Sequence, residues 1–144
     1  MKKWKKYALR MKKKGAYNMQ KDPKSTKHDK KRSKDFYKKW GFHFEEVWSL
    51  DHSIACYILP RLAYLREYHA GCPSSLVKMD NNGKIIEKDN YDPHEEWNNI
   101  LDKMIYSFEA IADDYASISA NVYSDPKVKE GLLLFAVHFN SLWD

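Results

Sequence analysis

GFHFEEVWSLDHSIACYILPRLAYLREYHAG, residues 41 to 71, opens on aromatic residues and two adjacent acids and becomes one long apolar-periodic segment. It closes on a glycine followed by Cys72 and Pro73, so it reads as a helix with both ends marked, and Ser49 is placed to cap it. At about 100° per residue from Leu50, the side chains of Ile54, Tyr57, Ile58, Leu62, Tyr64, Leu65 and Tyr68 fall on one broad face, the pattern of a helix packed against others. Arg61 falls inside that face. A guanidinium keeps its charge, so Arg61 is expected to meet a carboxylate, a carbonyl cluster or a bound anion, with an internal salt bridge as the first reading and a ligand phosphate as the alternative. Pro60 removes a backbone donor, so a kink or break is expected near Cys56 to Pro60.

Two further helices flank this one toward the C-terminus. Asp92-Pro93 with Glu95 and Glu96 is a strong start signal: a cap, a proline at the first helical position and acids in the first turn. Trp97, Ile100, Leu101, Met104, Ile105, Phe108, Ile111, Ala112 and Tyr115 then hold one stripe. Asp125-Pro126 repeats the signal before KVKEGLLLFAVHFNSLWD. There Val128, Leu132, Phe135, Ala136, Phe139, Leu142 and Trp143 form a stripe, while Leu133, Leu134 and Val137 make the middle apolar all round. A terminal helix of that kind is expected to be shared with a second subunit, giving a homo-oligomer through the C-terminal helix. Between the central helix and the one that starts at Pro93, Leu76 to Met79 and Lys84 to Glu87 flank Asp80-Asn81-Asn82-Gly83, which predicts a small β-hairpin.

Toward the N-terminus the composition changes sharply. Residues 1–39 carry 17 Lys or Arg against Asp22, Asp29 and Asp35, 17 − 3 = +14, whereas the remainder carries 8 against 17, 8 − 17 = −9; the net charge of +5 is the sum of two opposed parts. MKKWKKYALRMKKK places Trp4, Tyr7, Ala8 and Met11 on one stripe among lysines, a basic amphipathic helix ended by Gly15. Residues 20–34 lack periodicity and are expected to be a loop. Ser33 or Asp35 would then cap a short helix through Trp40, with Phe36 and Trp40 on its inner side.

The fold class that follows is mostly α: a small bundle of three main helices with a short β-hairpin insertion and a basic N-terminal helical arm. The expected division is residues 1–34 as arm and loop and 35–144 as helical core. Length suits one domain. No apolar run is long enough to span a bilayer, and the basic N-terminus lacks the apolar stretch of a secretion signal, which predicts a cytoplasmic protein. Cys56 and Cys72 make neither a disulfide framework nor a zinc spacing.

No HExxH pair, Gly-rich phosphate loop, GxSxG, Cys-His signature or kinase motif is present. An enzyme would have to work through acids and a metal. Asp102, Tyr106, Glu109 and Asp113, with Glu95, form a column on the flank of the helix after Pro93, which would be solvated or would receive the basic arm. Glu45, Glu46 and Asp51, with Glu109 and Asp113 four apart, resemble the acidic motifs of all-α nucleotide pyrophosphohydrolases; that resemblance implies Mg²⁺ over a triphosphate, with Glu45, Glu46, Glu109 and Asp113 as catalytic acids and Asp51 joining them as metal ligand.

The runs EEVWSLDHSIACYILPRL, EEWNNILDKMIYSFEAI and EGLLLFAVHFNSLWD resemble a group of small accessory proteins of tailed bacteriophages. The likeness covers about half of the chain, chiefly the three helices, and brings no established activity. It implies a setting, the cytoplasm of an infected bacterial host, where DNA handling, virion building and blocking of host defence are the usual tasks. The functional expectation is a non-enzymatic protein with no cofactor that captures a phosphate-rich anionic ligand, nucleic acid or a nucleotide signal of host immunity. Lys5, Lys6 and Arg10 of the arm with Arg61 and Arg66 would meet phosphate, and Trp4, Tyr7, Tyr57 and Tyr64 would stack on bases. The alternatives are the Mg²⁺-dependent hydrolase and a structural or protein-interaction subunit.

Overall fold

The computed structural model describes residues 1–14, 22–85, 91–114 and 121–143. Five α-helices follow in order: α1 (Lys3–Lys14), α2 (Lys27–Trp40), α3 (Leu50–Tyr68), α4 (Pro93–Asp114) and α5 (Pro126–Val137), with a 3₁₀ segment at Phe44–Ser49 leading into α3. The architecture is all-α, with five helices where three main ones were expected.

The core is built on α4. Its stripe is buried as the periodicity requires, from Trp97 at 1% exposure through Leu101, Met104 and Phe108 to Ala112; Tyr115 lies outside the described residues. Asp92 Oδ1 accepts from the His94 N–H at 2.8 Å and fixes the helix start beside Pro93. Helices α3 and α5 pack on α4, and α1 packs on α3. At the α4–α5 crossing Ser107 is fully buried and donates to the Val128 carbonyl at 2.9 Å, with Gly131 directly against it.

On α3 the buried face differs from the expected one. His52, Ala55, Cys56, Leu59, Leu62 and Ala63 point inward, whereas Leu50, Ile54, Tyr57, Tyr64 and Tyr68 are exposed. The helix is apolar almost all round, so summed hydrophobicity does not locate its seam. Small residues do, because Ala55, Cys56 and Ala63 let neighbouring helices approach closely. Of the expected kink or break near Pro60 there is no break: α3 runs on through Pro60 and ends where the His69 N–H donates to the Leu65 carbonyl, before Gly71. Ser49 takes the cap position without a side-chain hydrogen bond; Ser53 Oγ bonds the Ser49 and Glu46 carbonyls instead.

The basic helix α1 packs into the molecule. Tyr7 and Met11 join the core, and Trp4 meets Tyr64 edge to face at 5.0 Å between centroids. Cations here reach the body: Lys2, just before α1, bonds Glu67 at 2.7 Å and the Tyr68 hydroxyl, and Arg10 of α1 pairs with Asp113 and stands 3.9 Å from Glu109.

Residues 27–34, expected as loop, are the first half of α2, so the boundary expected after residue 34 falls inside a helix. The hairpin is reduced to one antiparallel bridge, Met79 to Ile85, around a turn in which Asp80 Oδ1 accepts from Asn82 N and Lys84 N, both at 2.9 Å; no strand forms among the described residues, and residues 86–90 lie outside them. Met79 and Ile85 are more than half exposed, so the turn chemistry acts without the buried face that a two-stranded ribbon needs. Helix α5 stops at Val137, followed by a 3₁₀ turn at Phe139–Ser141; Val128 is buried and Leu132, Phe135 and Leu142 half-buried, while Ala136, Phe139 and Trp143 of the expected inner stripe face outward.

Candidate polyanion-binding surface on α2

Helix α2 begins at a capping box. Thr26 Oγ1 accepts from the Asp29 N–H at 3.1 Å, and Asp29 Oδ2 accepts from the Thr26 N–H at 3.1 Å and from its hydroxyl at 2.6 Å. Those bonds, the hydroxyl's first, hold the Asp29 carboxyl below its usual pKa. The helix ends at Gly41, whose φ of 81° is the left-handed conformation of a C-terminal stop and whose N–H donates to the Tyr37 carbonyl at 2.8 Å. Between these ends stand Lys27, Lys30, Lys31, Arg32, Lys34, Lys38 and Lys39 against Asp29 and Asp35, 7 − 2 = +5 in one helix.

Among the described residues α2 packs on one element, the 3₁₀ segment Phe44–Ser49. Three polar side chains make the junction. Ser33, fully buried, donates its hydroxyl to Glu45 Oε1 at 2.6 Å, and Glu45 is 1% exposed. His43 Nδ1 lies 2.7 Å from the same hydroxyl oxygen. A hydroxyl has one hydrogen, which here goes to Glu45, so Nδ1 of His43 is the donor to Ser33. Tyr37 stacks on the His43 ring with centroids 4.7 Å apart. Aromatic contacts complete the seam: Phe36 meets Phe42 at 5.4 Å, Phe44 at 5.6 Å and Trp40 at 6.5 Å, and Phe44 meets Trp48 at 6.0 Å.

The outer side is an open groove of about 510 Å³, lined by Lys31, Arg32, Lys39, Phe36 and Trp40 and completed by His28 and Asp35. Lys39 Nζ lies 4.9 Å from the Trp40 ring centroid and the Arg32 guanidinium 4.8 Å from that of Phe44. Among the described residues no carboxylate stands within ion-pair distance of Lys31, Arg32, Lys34, Lys38 or Lys39. Four cations elsewhere stand on acids: Lys2 with Glu67, Arg10 with Asp113, Arg66 with Asp102, Lys103 with Glu130.

The expected phosphate and stacking residues are dispersed. Arg66 is held by Asp102 through Nε at 3.1 Å and Nη2 at 3.2 Å. Arg61 is exposed, where a buried charge was expected; it donates to the Tyr57 carbonyl and lies 3.6 Å over the Tyr57 ring. Trp4 and Tyr64 pack on each other, and burial first, then the neighbouring Glu109 carboxylate, pushes the Tyr7 hydroxyl far above its ordinary pKa. Lys5, over the Trp4 ring at 5.6 Å, and Lys6 remain exposed.

The acids expected to share a Mg²⁺ ion stand at separate places. Glu45 lies under Ser33, Glu46 accepts from the His43 N–H at 3.0 Å, Asp51 accepts from the Tyr123 hydroxyl, and Glu109 and Asp113 face Arg10. The described residues hold no cluster of three or more His, Cys, Asp or Glu placed for a metal. The acidic column on α4 is divided likewise, with Asp102 on Arg66 and Tyr106 donating to Asp125 at 3.0 Å.

Sequence reasoning gave only the second half of α2 and missed its start, although Thr26-x-x-Asp29 is a capping-box spacing; of the two rings expected on its inner side, Phe36 is half-buried and Trp40 faces outward. Compared with family models, curated proteins and solved structures, the chain matches none.

Proposed function

We propose that the protein is a non-enzymatic binding protein that captures a phosphate-rich polymer, nucleic acid rather than a small nucleotide, on the outer side of α2. The observation that carries this reading is the run of cations on α2, Lys31, Arg32, Lys34, Lys38 and Lys39, with no carboxylate within ion-pair distance among the described residues, whereas Lys2, Arg10, Arg66 and Lys103 stand on acids. Fourteen residues at about 1.5 Å each string these charges over about 21 Å. An open, extended groove suits a repeating phosphate backbone, whereas a small nucleotide calls for an enclosed pocket that buries most of it. Lys5 and Lys6 of α1 add exposed charge beyond the groove. The likeness to phage accessory proteins would place such capture in the cytoplasm of an infected bacterium, where removing a nucleic acid from host recognition serves counter-defence.

The test is binding of a fluorescent oligonucleotide across a salt series. Binding that weakens steeply with salt, and about ten-fold further in a Lys31→Glu, Lys39→Glu variant, supports the proposal, since each phosphate contact contributes a slope of about −0.7 to −0.9 in log K against log salt. Absence of binding at low salt, or indifference to those substitutions, contradicts it.

A second, compatible reading concerns assembly. Leu133, Val137, Phe139 and Trp143 are each more than three-fifths exposed along α5 and the turn after it, which favours a homo-oligomer through that face. Light scattering on the wild type and on Leu133→Asp, Val137→Asp decides it: loss of a dimer mass supports the reading, and a wild-type monomer removes it.

A further inference from the structure

We infer that the nucleic acid taken by α2 is single-stranded, with its bases stacked on Trp40, Phe42 and Trp48; the inference rests on the polyanion reading above. Those three rings are 58%, 42% and 59% exposed, yet they are fixed in place. Phe36 touches Trp40, Phe42 and Phe44, and Phe44 touches Trp48, so one connected cluster presents three outward rings from an inner pair. Two cations are seated on that cluster: Lys39 over the outward Trp40 and Arg32 over the inner Phe44. Cations and outward rings therefore belong to one connected cluster, and Trp40 lines the groove with Lys31, Arg32 and Lys39, the combination that takes a strand whose bases are unpaired. A duplex would satisfy the lysines while leaving the rings against water, because its bases are already stacked on one another. The cluster also lies apart from the main core, which draws no side chain from α2 or the 3₁₀ segment, so these rings are not the rim of another packing seam.

The experiment uses the full chain with fluorescein-labelled oligothymidylate and a hairpin duplex carrying the same number of phosphates. Wild type, Trp40→Ala, Trp48→Ala, Trp40→Phe and Lys31→Glu, Lys39→Glu are compared, with circular dichroism to confirm that each is folded. The expected result is at least ten-fold tighter binding of the single strand, quenching of tryptophan emission on binding, and about ten-fold loss in each Trp→Ala variant for the single strand only. Trp40→Phe is expected to keep most of the affinity. Equal affinity for the two nucleic acids, or unchanged single-strand binding in both Trp→Ala variants, overturns this inference and leaves the polyanion reading standing. Preference for phosphatidylglycerol vesicles over the oligonucleotide overturns it in favour of a membrane surface. Failure to bind either nucleic acid at low salt overturns both.

Discussion

At Gly131 the α4–α5 crossing leaves no room for a methyl group. A Cβ built there stands 2.0 Å from Ser107 Oγ and 2.3 Å from the Lys103 carbonyl oxygen, which belongs to backbone that cannot swing aside. In an open helix Gly→Ala stabilises by up to about 1 kcal/mol. Here overpacking reverses the sign, and Gly131→Ala is expected to destabilise by about 2 kcal/mol in urea unfolding; a gain in stability would contradict the packing described. His52 gives a pH-dependent counterpart. Burial lowers its pKa below 6.5, with Asp51 pulling weakly the other way, so the unfolded chain takes up the proton more readily than the folded one. The stability that this histidine supplies is complete above pH 6.5 and declines as pH falls toward its folded value, with a slope of at most about 1.4 kcal/mol per pH unit. His52→Gln is expected to flatten unfolding free energy against pH between 6.5 and 5; an unchanged slope would show that His52 is not buried as a neutral ring. Neither residue announces its role in the sequence. A helical glycine looks like a weak point until its neighbour is known, and a lone histidine between Asp51 and Ser53 carries no mark of the side that it faces.

Among the elements, α4 was legible throughout because cap, proline, acids and stripe all agree. Helix α3 was legible as a helix but not in its orientation: large apolar side chains outnumber the small ones on the wrong side, and the seam follows Ala55, Cys56 and Ala63. Helix α2 was half legible. Its lysines suppress any hydrophobic period, yet the Thr26 capping box starts the helix and Gly41 stops it. What holds α2 to the body is Ser33 on Glu45, two buried polar side chains that belong to no hydrophobic pattern, with His43 beside them. Ser33→Ala removes the hydroxyl that Glu45 accepts from, a loss of about 1–3 kcal/mol for a buried group. Because α2 packs on one described element, that loss is expected locally: hydrogen exchange speeds up across residues 27–40 while the amides of α4 keep their protection. Uniform acceleration through α4 would show instead that α2 and the core unfold as one unit.

Across the whole molecule the opposed charges of the two parts of the chain resolve in two ways. Helix α1 folds back by its apolar stripe, with Tyr7 and Met11 in the core and Lys2 and Arg10 on acids of α3 and α4. Helix α2 carries its charge outward. Composition shows the imbalance but cannot show this division, which depends on where acids stand in space. The residues expected to meet phosphate lie on α1 and α3, on either side of α2 in the sequence, and two of them, Arg10 and Arg66, stand on carboxylates. The most direct measurement of the central claim is a hydrogen-exchange footprint of the protein with and without saturating oligonucleotide. Protection concentrated in residues 27–48, with α5 unchanged, is the predicted result; protection confined to α1 or α5, or none anywhere at low salt, would contradict the claim that α2 is the ligand surface.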